Sequence, residues 1–136
     1  MKLVLCLTGK TFKGPISALV EDYRERISHY APIEIIEAKE LKLQSRLGLH
    51  VVLSPAGRQL DSEGLAALIE KQLNLGTKHL YFYVGGPEGF DPAIEDAADE
   101  KISFSRMTFN HQIIRIMILE QLYRAFTIIR GEHYHK

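Results

Sequence analysis

Apolar residues along the chain arrive in two rhythms. Uninterrupted short runs at Lys2–Thr8, Ile33–Ala38, 49–53 and 81–84 have the length and the β-branched and aromatic content of buried strands, and residues 102–105 offer a shorter fifth. Between them the spacing becomes helical. After Pro15, which suits a first helical turn, Ile16, Leu19, Val20, Tyr23, Ile27 and Tyr30 fall on one stripe, with Glu21, Asp22, Arg24, Glu25 and Arg26 opposite. Pro32 stops that pattern. Asp61 or Ser62 caps a second helix reaching about Asn74, with Gly76 as its stop, and Asp91-Pro92 opens a short third helix to about Asp99. A long last helix is expected from about Asn110 to Arg130. The third strand is expected to close in the turn Ser54-Pro55-Ala56-Gly57, and a polar connection, residues 39–46, to precede it.

Strands alternating with helices in this order predict an α/β fold with a largely parallel sheet. At 136 residues, with 46% hydrophobic and 25% charged residues, the chain suits one domain over residues 1–136 and one ordinary core. The longest apolar stretch near the start, residues 3–7, is too short for a signal-peptide core or a membrane span, so a cytoplasmic protein with no membrane partner is expected. Cys6 is the single cysteine, inside an apolar run, and reads as a buried thiol. His133 and His135 stand two apart with no further spacing that completes a metal site, so no metal is expected. The net charge is zero, yet residues 1–100 carry 11 basic against 15 acidic side chains and residues 101–136 carry 6 against 2. That C-terminal excess suits local phosphate contacts, or equally a solvated helix face in which Glu120 and Arg124 pair.

Two features exceed what a core requires. The strand Tyr-Phe-Tyr-Val at 81–84 breaks into Gly-Gly-Pro-Glu-Gly at 85–89, where glycines allow close backbone approach at the carboxyl end of a strand, the usual place for ligands in open α/β sheets. The loop fits neither the dinucleotide fingerprint nor a P-loop, and by itself it is equally a tight turn. The last helix is apolar on more than one side: Ile114, Met117, Ile118, Leu122, Ala125, Phe126 and Ile129 face a core, while Ile113, Ile116 and Tyr123 fall among the polar positions. A second apolar surface predicts a homodimer contact, unless flanking loops or the tail cover it.

The glycine loop, then Ile-Ser-Phe-Ser-Arg-Met-Thr-Phe-Asn-His-Gln at 102–112, Leu-Glu-Gln-Leu-Tyr-Arg-Ala-Phe-Thr-Ile at 119–128 and Gly-Glu-His-Tyr-His-Lys at 131–136 resemble the bacterial large-subunit rRNA pseudouridine N3-methyltransferases, minimal members of the SPOUT methyltransferases. The likeness begins at Met1-Lys-Leu and Gly9-Lys10 and runs through Tyr23, Arg26 and the segment 53–62 to the last residue. It implies a trefoil-knotted α/β domain that dimerises, binds S-adenosylmethionine in the knot and methylates N3 of a pseudouridine in large-subunit rRNA on the assembled ribosome. It assigns cofactor contacts to Leu53, Gly85, Gly86 and the run Phe104, Ser105, Arg106, Met107, Thr108 and Phe109. Because N3 must lose a proton, a base or a cation is needed, and the resemblance directs attention to His111, Arg124, Tyr134 and His135. Arg124 is equally a partner for Glu120, and His111 equally a helix-start residue. The chain departs from the family at Asn110 and His133, where prolines are usual, at Ser54, where aspartate is usual, and in a connection after the second strand that is shorter by about a helix. The alternatives are a SPOUT RNA methyltransferase with another target base, a dimeric adenosine-ligand module without catalysis, and a purely structural dimer.

Overall fold

The computed structural model describes residues 1–43 and 47–136, so the last three residues of the expected polar connection lie outside the described residues. Its elements run β1 Lys2–Thr8, α1 Pro15–Ser28, β2 Ile33–Ala38, β3 Leu49–Gln59, α2 Ser62–Asn74, β4 His79–Val84, α3 Pro92–Ala97, β5 Glu100–Ser103 and α4 Ile113–Ile129. The five strands form one sheet in the order β2-β1-β4-β3-β5, and every pairing between them is parallel.

Parallel strands are covered on both faces, which is why β1 is apolar without alternation. Leu3, Leu5 and Leu7 enter the larger core with Val51, Leu80, Phe82 and Ile102, against α1, α2 and α4. Val4 and Cys6 turn the other way, to a smaller cluster with Val52, Tyr81, Tyr83 and Ile94 of α3, closed over by Phe90, Leu41 and Leu43. Burial pushes the Cys6 thiol up to about 12, the behaviour of an inert core residue. At roughly 1.5–3 kcal/mol for each large apolar side chain buried, the larger core dominates stability.

Helix ends follow the local chemistry. Asp61 Oδ1 accepts from Gly64 N at 2.7 Å and Asp91 Oδ1 from Ala93 N at 2.9 Å. At the end of α4, Gly131 takes φ 68°, and its N–H and that of Glu132 donate to Ile128 O and Thr127 O at 3.0 and 2.9 Å, the Schellman arrangement.

Several boundaries differ from the sequence-based expectation. β3 does not end at Leu53. Leu53 and Arg58 both stand opposite Ile102 of β5, so residues 54–57 bulge out of the ladder and the strand resumes. Turn chemistry at Ser54-Pro55-Ala56-Gly57 is present, but it makes a detour within a strand because β5 offers partners on both sides of it. β4 begins at His79, β5 spans Glu100–Ser103, α3 stops at Ala97, and α4 starts at Ile113 after a turn. On α4 the buried set includes Arg115, Leu119 and Thr127, whereas Ile114, Met117 and Ile129 are half-buried. Packing against both α1 and α2 shifts and widens the stripe.

Candidate functional site

Three segments, the bulge within β3 and the carboxyl ends of β4 and β5, meet around a cavity of about 330 Å³. Its base is apolar, from Val84 and Ile102, and Glu88 and Glu95 bring carboxylates to its lining. Each wall has a local cause. The loop after β4 folds as a turn in which Gly89 N donates to Gly86 O at 3.0 Å, with Pro87 at its first central position and Gly89 at φ 77°. A Cβ on Gly85 would stand 3.1 Å from the main chain of Gly89, and one on Gly86 would stand 3.2 Å from Thr8 Cγ2, so both glycines keep space that a side chain would take. The detour of β3 depends on Gly57, whose Cβ would come within 2.7 Å of the Ile102 main chain. After β5, Ser103 Oγ donates to Ser105 O at 2.6 Å and Ser105 Oγ accepts from Met107 N at 3.0 Å, which turns the chain across the strand ends.

Leu53, Gly85, Gly86, Phe104, Ser105, Met107, Thr108 and Phe109 all line this cavity. Arg106 does not. It borders a separate shallow groove with Pro55, Ala56, Gly57 and Gln59. Ser54, one of the departures from the family pattern, is buried in the cavity wall and accepts from Ala56 N at 3.3 Å.

Arg124, Tyr134 and His135 also come together, but around Glu120 and away from that cavity's lining. Glu120 Oε1 accepts from Arg124 Nε at 3.0 Å, from Arg124 Nη2 at 2.5 Å and from the Tyr134 hydroxyl at 3.1 Å. The Arg124 guanidinium lies over the Tyr134 ring at 4.8 Å, and that ring meets Tyr123 edge-on at 4.8 Å. Arg124 Nη1 sits 3.1 Å from His135 Nδ1, and His135 Nε2 sits 2.8 Å from Glu63 Oε1. Since a guanidinium only donates, Nδ1 must accept, which leaves the proton on Nε2 to face Glu63. The hydrogen bond with Glu120 holds the Arg124 guanidinium above its ordinary value, that with His135 lowers Glu63, and burial with hydrogen bonds to Tyr23 and Glu120 raises Tyr134. The Glu120–Arg124 helix pair is therefore formed, and the tail covers part of Tyr123; Ile113 stays about half exposed, at 49%. His111 is elsewhere, edge-on to Phe12 at 6.0 Å. A groove bounded by Ser62, Phe104, Met117 and Gln121 lies between α2 and α4, and Phe104 borders both it and the main cavity.

Sequence reasoning passes over two buried polar residues at the start of α4. Arg115 is 1% exposed. It donates from Nη1 to Gly9 O and Thr11 Oγ1, each at 3.0 Å, from Nε to His111 O at 3.2 Å, and from Nη2 to Thr8 O, with Glu37 Oε2 3.4 Å from Nη1. Gln112 Oε1 accepts from Phe12 N at 2.7 Å and its Nε2 donates to Lys10 O at 3.0 Å. The available signal was the isoleucine on either side of an arginine, Ile114 and Ile116, in a helix whose stripe faces inward. Asn110 ties the turn before α4 with its side chain: Oδ1 accepts from Gln112 N at 2.8 Å.

Among the described residues no group of His, Cys, Asp and Glu is arranged to hold a metal ion, and no helix is long and apolar enough to cross a membrane. A family described as "Predicted SPOUT methyltransferase" matches residues 1–135. The chain is 45% identical over 139 residues to the ribosomal RNA large subunit methyltransferase H of Coprothermobacter proteolyticus, covering 100% of both chains. It is 40% identical to the protein of that name from Geobacter sp. strain M21 and 36% identical to that of Porphyromonas gingivalis strain W83, covering 99% of each chain in both cases. In fold it is similar to a probable methylase family protein from Haemophilus influenzae, with a TM-score of 0.55 at 10% identity, covering 96% of this chain and 66% of that one.

Proposed function

The chain belongs to the SPOUT methyltransferase family, and on that premise we propose that it transfers a methyl group from S-adenosylmethionine to N3 of a pseudouridine in large-subunit ribosomal RNA, in the cytoplasm, on the assembled ribosome. One observation carries this: a single cavity at the strand ends takes its walls from the segments around Leu53, Gly85 and Phe104. Those are the segments to which the family resemblance assigns the cofactor. The chemistry of the walls suits such a ligand. Apolar side chains would hold an adenine, main-chain groups around Gly85, Ser105 and Met107 would offer it hydrogen bonds, and the Glu88 and Glu95 carboxylates would complement a cationic donor.

The cofactor supplies an activated methyl group on a sulfonium, so the protein's task is orientation and charge. Gly85 and Gly86 let the loop close on Gly89 and Thr8, and Val84 and Ile102 give the cavity an apolar floor. Arg124 can stabilise the uracil anion left when N3 loses its proton, exchanging its contact with Glu120 for one with the base. His135 is held as the tautomer whose Nδ1 accepts, which fits it to take or relay that proton once Arg124 turns away. No member of this cluster lines its own chain's cavity, and in the homodimer that forms part of this proposal it is free to serve the cavity of the second copy. The proposal includes a single domain and the trefoil knot, with the segment 104–112 crossing the strand ends from β5 to the loop after β1.

The experiment is methyl incorporation from labelled S-adenosylmethionine into ribosomes, free rRNA and tRNA, with mass mapping of the product nucleotide. N3-methylpseudouridine in the large-subunit RNA is expected. Label in a different nucleotide or in tRNA would replace the target base, and binding of S-adenosylhomocysteine without incorporation on any RNA would leave an adenosine-ligand module.

A further inference from the structure

The cavity wall made by residues 104–109 belongs to a segment without helix or strand structure. Such a wall costs ordering entropy on binding unless something fixes it beforehand. Its near end is held by the Ser103 and Ser105 hydroxyls. Its far end runs into Asn110, His111 and Gln112, and there the buried guanidinium of Arg115 gathers three carbonyls from two places: Thr8 and Gly9 at the end of β1, and His111 at the end of the wall segment. Glu37 of β2 and the Thr11 hydroxyl complete the shell, with Thr11 N and Oγ1 both donating to Glu37 Oε2 at 2.6 Å. Gln112 adds two bonds to the same loop, at Lys10 and Phe12.

We infer that Arg115, with Gln112 beside it, is a positioning residue for the cofactor cavity: it fixes the far end of the 104–111 wall against the β1 terminus and so prepares the site for its ligand. This rests on the proposed reading of the cavity as the cofactor site. A guanidinium suits the role because its planar fork donates in several fixed directions at once, which a lysine ammonium cannot reproduce from one point. Arg115 touches no cavity atom, so its effect passes through the wall.

The test uses full-length protein, calorimetric binding of S-adenosylhomocysteine and amide hydrogen exchange without ligand. Arg115→Lys keeps the charge and loses the fork. Thr11→Val removes one acceptor from the guanidinium and one donor from Glu37 at a half-buried position of a largely exposed loop, and remains informative where Arg115→Lys fails to fold. Ile27→Val, in the core under α1, is a control for general destabilisation. Arg115→Lys is expected to weaken binding roughly ten-fold and Thr11→Val roughly three-fold, the scale of ordering a short stretch of chain on binding. Amides of 105–111 should exchange faster in both variants while those of β1 and β4 stay protected, and Ile27→Val should bind as the parent does. Parent protein that binds, with Arg115→Lys or a folded Thr11→Val matching it in affinity and in exchange of 105–111, overturns this inference alone. So does an equal loss of affinity in Ile27→Val. Parent protein that does not bind S-adenosylhomocysteine overturns the cofactor reading and this inference together.

Discussion

Arg115 and Arg124 stand on the same helix and have opposite surroundings. Arg115 is 1% exposed and spends its donors mainly on main-chain carbonyls, which cannot move without moving a strand end. Arg124 has a side chain 24% exposed, and its partners are the Glu120 carboxylate and the His135 ring, both on rotatable side chains. Burial and partner type thus separate an arginine that holds the architecture from one that can change partners at little cost. Leaving a buried arginine's acceptors empty is expensive, whereas a partly exposed ion pair on rotatable side chains contributes less to stability.

The largest expected contrast is in unfolding. Arg115→Met strands the carbonyls of Thr8 and Gly9 and should lower the urea-unfolding free energy by about 1–3 kcal/mol for each acceptor left empty; Arg124→Met should lower it by no more than about 1 kcal/mol. Activity should reverse the order. Arg124→Met should reduce single-turnover methyl transfer on ribosomes by about 10²–10³-fold, the usual effect of removing one charge-stabilising donor, while S-adenosylhomocysteine affinity stays near the parent value. A stable but equally inactive Arg115→Met would erase the distinction. Gly85→Ala, whose Cβ would press at 3.1 Å on the Gly89 main chain, should weaken S-adenosylhomocysteine roughly ten-fold in calorimetry with little change in melting temperature. The smallest effect concerns pH. Burial pushes the Glu37 carboxyl up, but the Thr11 bonds and Arg115 outweigh it and hold it below the ordinary 4.5. A carboxyl so lowered adds stability above 4.5 that disappears as pH falls through its folded value. Glu37→Gln should therefore flatten the acid limb of stability against pH and leave the alkaline limb unchanged.

How much of this is legible in the sequence depends on how local its cause is. β1 and β2 keep their expected bounds because apolar continuity and flanking Gly9 and Pro32 define them. The Asp61 and Asp91 caps are likewise local. The detour in β3 was hidden, since Pro55 and Gly57 announce a turn but only the register against Ile102 reveals that the strand goes on. Most of the cavity was legible through a family likeness that marked three segments; Arg106 is the exception, because it stands in the turn that Ser103 and Ser105 hold and borders another groove. Arg115 escaped because charge counting groups it with the other basic residues of 101–136, and three of its acceptors, at Thr8, Gly9 and Thr11, lie more than a hundred residues earlier. His111 sits close in sequence to the cavity wall, yet the turn before α4 carries it to Phe12.

Gly131 sets the angle at which the chain leaves α4, and everything beyond it is a tether of fixed length. At about 3.3–3.6 Å per residue, the Cα of Tyr134 can travel no more than ~11 Å from that pivot and the Cα of Lys136 no more than ~18 Å. Any reacting atom attended by the tail must lie within that radius plus the length of one side chain, whichever copy of the protein presents it, so lengthening or shortening the arm by one residue is a ruler for the distance between pivot and reaction.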